Sequence, residues 1–167
     1  AQLRLSSVDE KYEFSLGEQV LLISPSHCFE DFHGFTCLKV NLEEVFSQLL
    51  IGDVLRVAFG GLVLKITHLN SDSTCLCECI SLGTCGTNKA ADIIGRGVIL
   101  PSLTEFDEYV LKSFVDSNTP EIFMSFVNSP QDISDCRALL PSNANAKIVA
   151  KIETIKGVRN FQAIMEN

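Results

Sequence analysis

The sequence has no stretch of about 18 uninterrupted apolar residues, which excludes a transmembrane helix. No charged segment followed by an apolar one opens the chain, so no secretory signal is expected. Low-complexity tracts are absent, and 46% of the 167 residues are hydrophobic, which excludes a disordered chain. A basic run or stripe is also missing. The 13 Lys+Arg stand against 21 Asp+Glu, a formal net charge of −8, and that balance argues against a protein that tracks nucleic-acid phosphates. What remains is an acidic globular chain. It is long enough for one compact domain, or for one small domain plus part of another.

Seven cysteines, at positions 28, 37, 75, 77, 79, 85 and 136, make an odd number. A chain of this length builds a core without staples, so free thiols in a reducing, intracellular compartment are expected. Cytoplasm and the stroma of a plastid or mitochondrion are not separable from these residues. Cys75, Cys77 and Cys79 invite a metal reading. On a strand, however, their sulfurs share one face about 6.5–7 Å apart, whereas thiolates sharing a zinc must come within roughly 4 Å. A strand face of small buried thiols is the expectation. Cys85 falls in a Gly-rich turn and is a candidate reactive thiol, although nothing basic adjoins it. His27 and His33 flank Glu30 and Asp31, a pattern that fits a solvated loop better than a metal cluster. Gly83-Thr84-Cys85-Gly86-Thr87-Asn88-Lys89 is a small-residue loop ending in lysine, but it departs from the phosphate-loop pattern.

The hydrophobic period divides the chain. Residues 1–95 read as β. Runs at 12–15, 20–24, 54–58, 62–67 and 74–81 are short and β-prone, with Gly, Asn and Asp between them. That spacing predicts a small barrel or sandwich. A helical turn is expected at 42–49, with Asn41 as its N-cap. From residue 96 to 167 the period becomes helical. Ser102-Leu103-Thr104-Glu105 has the capping-box pattern. Leu103, Phe106, Val110 and Phe114 follow at helical spacing and predict a helix of about four turns. Residues 121–127 and 147–152 read as buried strands. Between them Ser129-Pro130 opens a helix carrying Ile133, Cys136 and Leu140, and residues 157–167 predict a last one. Strands alternating with helices call for a parallel sheet. Two parallel strands are too few for a stable sheet, so this half is expected to belong to something larger.

Lys151 and Glu153 are the sharpest candidates for chemistry. Two apart at the end of a strand, they point to the same face. A lysine there can stabilise transferred negative charge while a carboxylate holds a divalent cation. An ordinary solvent-facing salt bridge is the plainer reading of the same pair.

Several separated segments are similar to the pyruvate kinase family. Ala146-Lys147-Ile148-Val149-Ala150-Lys151-Ile152-Glu153-Thr154, then Gly157-Val158-Arg159-Asn160-Phe161, resembles its lysine, apolar residue, glutamate and asparagine followed by Glu-Gly-Val. Met124-Ser125-Phe126-Val127 resembles its Ser-Phe-Val-Arg strand end. Leu100-Pro101-Ser102-Leu103-Thr104-Glu105-Phe106-Asp107 resembles its Leu-Pro-x-x-Ser-x-x-Asp helix entry. Gly52-Asp53-Val54-Leu55 and the Gly60 turn resemble its inserted β domain.

The resemblance implies an α/β plus all-β fold. A small β-barrel lid would span 1–95, and a segment of a (β/α) barrel would span 96–167. It implies phosphoryl transfer from phosphoenolpyruvate to ADP in glycolysis, with Mg2+ or Mn2+ and K+. Lys151 would stabilise the phosphoryl group and the enolate, and Glu153 would hold the divalent metal. Lys89 would lie near the nucleotide phosphates, with Ser125 and Thr154 beside the substrate.

Departures accompany the likeness. The lid's Asp-Asp-Gly reads Ala58-Phe59-Gly60, and its Gly-Val-Asn-Leu-Pro-Gly reads Ala90-Ala91-Asp92-Ile93-Ile94-Gly95. The arginine after Ser-Phe-Val is Asn128, the asparagine after the metal glutamate is Thr154, and the glutamate before Gly157 is Lys156. Losing an arginine removes a fork of donors that no neighbour supplies. Two expectations stay open. One is a diverged protein with weakened or lost catalysis, acting as a structural or regulatory subunit of a homo-oligomer or larger complex. The other is an active pyruvate kinase. In either case the partner that must cover these strands is the remainder of the barrel, and the 167 residues alone are expected to be inactive.

Overall fold

A computed structural model describes residues 1–32, 34–57, 61–70, 73–113, 121–141 and 145–166. The chain divides into two compact units, Gln2–Leu100 and Pro101–Asn167, the latter joined by Ala1.

The first unit is all β. Its strands are β1 (Arg4–Ser6), β2 (Lys11–Phe14), β3 (Gln19–Ile23), β4 (Thr36–Val40), β5 (Val54–Val57), β6 (Val63–Leu69), β7 (Thr74–Cys79), β8 (Gly83–Gly86) and β9 (Lys89–Ile93). Seven of them close into a barrel in the order β1-β4-β3-β7-β6-β5-β9, and β2 with β8 forms a separate two-stranded ribbon. The β1–β9 pairing completes the ring, so the barrel has no open edge. All barrel pairings are antiparallel except β3 with β4.

Alternation along β7 explains its place. Cys75, Cys77 and Cys79 are buried inside, while Leu76 and Glu78 stand half-buried between them. Register sets Val20 opposite Cys77 and Leu22 opposite Cys75, so the small sulfurs complement large aliphatic neighbours in the interior. β3 is buried on both faces. Val20 and Leu22 join the main core, whereas Leu21 and Ile23 pack outward with Cys37 under Phe29 and Phe32 of a short 3₁₀ turn. A second 3₁₀ turn, Glu43–Gln48, sends Val45 into the main core.

Four strands are not evident in the sequence pattern: β1, β4, β8 and β9. The predicted loop at residues 83–89 is β8, a turn and the start of β9. Its glycines serve close packing, since a Cβ at Gly83 would lie 2.2 Å from the Leu62 backbone nitrogen. Asn41 is not the expected N-cap. Leu42 holds that position without a side-chain cap, and Asn41 ties down β1 instead, accepting from Arg4 N and donating to Gln2 O.

The second unit holds α1 (Glu105–Ser113), β10 (Glu121–Met124), α2 (Pro130–Ala138), β11 (Lys147–Ala150), α3 (Ile155–Arg159) and α4 (Phe161–Met165). β10 and β11 pair in parallel, from Glu121 opposite Lys147 to Met124 opposite Ala150. Their core is small: Met124, Val127, Ile133, Cys136 and Ile164, with Ile122, Ile148 and Ile152 partly buried around it.

The capping box before α1 forms two residues later than the sequence suggests. Asp107 N donates to Thr104 Oγ1 at 3.1 Å, and Thr104 N donates to Asp107 Oδ2 at 2.8 Å. Ser102 bonds Asp135 instead. The expected apolar stripe of α1 is not buried either, since Phe106 is 72% exposed. Phe114 lies outside the described residues. Ser129-Pro130 does open α2, where Ser129 N and Oγ both donate to the Asp132 carboxylate. The last predicted helix is two short ones meeting at Asn160. Among the described residues no helix is long and apolar enough to cross a membrane.

Candidate active site

Parallel pairing in register brings the carboxyl ends of β10 and β11 side by side. The ladder runs on past the strands, with Lys151 N donating to Met124 O at 2.8 Å and Val127 N to Lys151 O at 3.1 Å. Ser125 and Lys151 are the first residues beyond each end. Lys151 Nζ donates to Ser125 Oγ at 2.9 Å and lies 3.3 Å from Glu153 Oε1. The other carboxylate oxygen of Glu153 accepts from Phe126 N at 3.0 Å. The ammonium thus rests between a hydroxyl and a carboxylate, with side-chain exposures of 46% for Lys151 and 34% for Glu153. An ion pair this open contributes at most about 1 kcal/mol to folding. The same openness leaves the cation accessible to a ligand.

Three of the sequence-derived residues therefore come together: Ser125, Lys151 and Glu153. Thr154 is next along the chain but faces another way. It caps α3, its Oγ1 accepting from Gly157 N at 2.9 Å, and it donates to Asn128 Oδ1. The cap needs a glycine at 157, because a Cβ there would meet the Val127 carbonyl at 2.5 Å. Lys89 belongs to the other unit, exposed at the start of β9. The lid turn at residues 58–60 lies outside the described residues.

The resemblance marks Asn128 only as a missing arginine, and the structure shows what the residue does in its place. It stands in the loop after β10, and Phe126, two residues before it, has φ +57°. The left-handed region costs an L-residue with a Cβ about 1–2 kcal/mol, so neighbouring bonds must hold it. Asn128 Nδ2 donates to Phe126 O at 2.8 Å, Asn128 N donates to Asp132 Oδ2 at 2.6 Å, and Asn160 Nδ2 donates to Asn128 O at 2.7 Å. Asparagine before a proline-capped helix reads as an ordinary loop residue, because its partners lie up to 32 positions away.

The other candidates carry less. Among the described residues, no group of three His, Cys, Asp or Glu could hold a metal ion. The His27 ring packs edge-on against Phe32 at 5.3 Å, and His33 lies outside the described residues. Cys85 is buried on β8 rather than lodged in a turn, and burial pushes its thiol up to about 11. That is the opposite of an activated nucleophile. The Cys77 thiol is also raised, first by the neighbouring Cys75 thiol and then by burial. The six buried cysteines are free thiols.

Glu153 offers one carboxylate, and both of its oxygens already accept from Phe126 N–H and Lys151. Mg2+ takes one or two carboxylates together with substrate oxygens and water. Glu153 would be one ligand of such an ion, and among the described residues no group of three His, Cys, Asp or Glu completes a site.

Residues 1–167 match the family described as pyruvate kinase, barrel domain. The pyruvate kinase of Hypocrea jecorina is 30% identical over 130 residues, covering 77% of this chain and 24% of that protein. That of Naumovozyma castellii is 28% identical over 161 residues, covering 96% of this chain and 29% of that protein. The pyruvate kinase of Dictyostelium discoideum is 27% identical over 131 residues, covering 77% and 26%. The chain spans about a quarter of the length of these relatives. With a family match along its whole length, the chain belongs to the pyruvate kinase family.

Proposed function

We propose that the chain is part of a diverged pyruvate-kinase-like protein in which phosphoryl transfer is weakened or lost, and which acts as a structural or regulatory subunit of a larger assembly. The observation that carries this reading is Asn128. It stands where the resemblance places an arginine, and both ends of its side chain are engaged, with Phe126 O and with Thr154. A phosphoryl group in transfer spreads charge over three oxygens, and catalysis is mostly positioning and neutralisation of that charge. Lys151 is the cation at this strand end, and Glu153 already shares it. The substitutions at Ala58-Phe59-Gly60 remove lid carboxylates as well. On this reading 1–95 is the lid and 96–167 a segment of the barrel. Its partners are the remaining barrel and further subunits.

The Ser125–Lys151–Glu153 cluster favours a second reading, an active pyruvate kinase acting on phosphoenolpyruvate and ADP. Here Lys151 would neutralise charge on the phosphoryl group and enolate, Ser125 would orient the ammonium, and Lys89 would meet nucleotide phosphates. Glu153 would supply one carboxylate toward a divalent ion whose remaining ligands this chain does not provide. Magnesium or manganese and potassium accompany this reading only.

The test is a steady-state assay of the full-length protein with phosphoenolpyruvate, ADP, magnesium and potassium. The expected turnover is at least about 100-fold below the 1–100 s⁻¹ usual for kinases. Turnover within that range overturns the first reading. Lys151→Met then decides the site. Residual transfer that disappears in this variant arises at Lys151, and transfer that persists does not.

A further inference from the structure

We propose that Asn128 and Thr154 are a positioning pair that presets Glu153 and Lys151. The inference rests on the reading that Lys151 and Glu153 carry whatever chemistry this site performs. Neither Asn128 nor Thr154 touches the Lys151 ammonium, so both act through other groups.

The bonds form a continuous line. Gly157 N donates to Thr154 Oγ1 at 2.9 Å, which leaves the hydroxyl proton for Asn128 Oδ1. With its oxygen so used, the Asn128 amide turns its NH2 to Phe126 O, at 2.8 Å. Phe126 N in turn donates to Glu153 Oε2 at 3.0 Å, and Glu153 Oε1 lies 3.3 Å from Lys151 Nζ, which reaches Ser125 Oγ at 2.9 Å. Asn128 Oδ1 accepts from Thr154 and Nδ2 donates to Phe126 O, so the side-chain amide has one orientation.

Phe126 is the point where this matters. Its φ of +57° is a conformation that an aromatic residue does not adopt unaided. Its carbonyl is held by Asn128 and its N–H by Glu153. Loss of the Asn128 bond leaves the 126–127 peptide held, among the described residues, only by Val127 N on Lys151 O, which loosens Phe126 and with it the neighbouring N–H on the carboxylate. Asn128 is itself anchored from two sides, by Asp132 at the start of α2 and by Asn160 where α3 gives way to α4. The pair is neutral, so it sets the geometry of the Lys151–Glu153 dyad without altering its charge.

The experiment uses the full-length protein and needs no turnover. Amide hydrogen exchange is read at Phe126 and Gly157. Acetylation by a small N-hydroxysuccinimide ester is read at Lys151, with the 70% exposed Lys147 as the internal reference. Asn128→Asp keeps the shape but has no donor for Phe126 O. It is expected to speed Phe126 exchange by about tenfold, the size of one lost hydrogen bond, and to raise Lys151 acetylation relative to Lys147. Gly157 stays protected in that variant. Thr154→Val removes the hydroxyl and is expected to speed exchange at both Phe126 and Gly157. Thr154→Ser restores the hydroxyl and is expected to behave as the parent at every site. Unchanged Phe126 exchange in Asn128→Asp and Thr154→Val overturns the pair, as does a Thr154→Ser that behaves like Thr154→Val. Ordinary turnover in the kinase assay would overturn the weakened-catalysis reading and leave these exchange results standing.

Discussion

The two units solve the same problem with unequal means. The barrel of Gln2–Leu100 closes on itself, so each barrel strand has two neighbours and its interior is a continuous core from Leu3 to Ile93. Among its described residues, the unit of Pro101–Asn167 has two parallel strands and a core of five buried apolar residues. It leaves Phe106, Tyr109, Phe123, Ile155 and Met165 largely exposed. Antiparallel strands joined by short turns can satisfy themselves locally, whereas parallel strands need further strands and covering helices. The candidate site lies in the unit that is less able to hold itself together.

The largest test of that contrast is to separate the two. Residues 2–100 alone are expected to melt cooperatively. Residues 101–167 alone are expected to give no cooperative transition by calorimetry, since a core of this size contributes too little against chain entropy. A sharp transition in the second piece would erase the comparison.

Within the intact protein, Leu64→Ala should destabilise the barrel by about 3–5 kcal/mol, because a fully buried side chain in a closed interior leaves a cavity that cannot collapse. Ile133→Ala should cost about 2–3 kcal/mol, since its small core can relax around the gap. Urea titrations followed by a probe in each unit would show the difference.

A third test concerns pH. The Arg96 guanidinium beside Asp53 holds its carboxyl below the usual carboxylate value, and the Leu50 N–H adds to this against the cost of burial. A depressed carboxylate stabilises the fold above its unfolded value of about 3.9 and ceases to do so as pH falls through the folded value. Asp53→Asn should therefore cost about 1–2 kcal/mol at neutral pH and flatten the acid limb of the barrel's stability curve below about pH 4. An unchanged acid limb would remove Asp53 from the account. The smallest expected effect is that of Lys147→Ala. Its ion pair with Glu121, at 3.3 Å, is exposed and should change stability by less than about 0.5 kcal/mol.

Residues whose partners are near in sequence announced themselves. The alternation of β7 and the two-residue spacing of Lys151 and Glu153 could be read directly, and both appear in the structure as a buried thiol face and a strand-end pair. What escaped was set by distant pairing. β1 is only Arg4–Ser6, and it exists because β4 and β9 flank it. β8 looked like a loop because its glycines answer to a neighbouring backbone rather than to strand propensity. Thr104 and Asp107 took the capping box from Ser102 and Glu105, since the same pattern fits at two offsets. Asn128 could be read as a substituted arginine, but its bonds to Thr154 and Asn160, 26 and 32 positions away, could not.

The buried thiols carry a kinetic consequence. Cys37, Cys75, Cys77, Cys79 and Cys85 are all shielded in the barrel unit, so its unfolding releases them together rather than one by one. An unfolded chain with that many accessible thiols meets oxidant or another chain before it refolds, and its loss becomes one-way. Heat inactivation in air should then depend on heating rate and on added reductant. How long the fold lasts would be set by how seldom the barrel opens rather than by how favourable its closed state is.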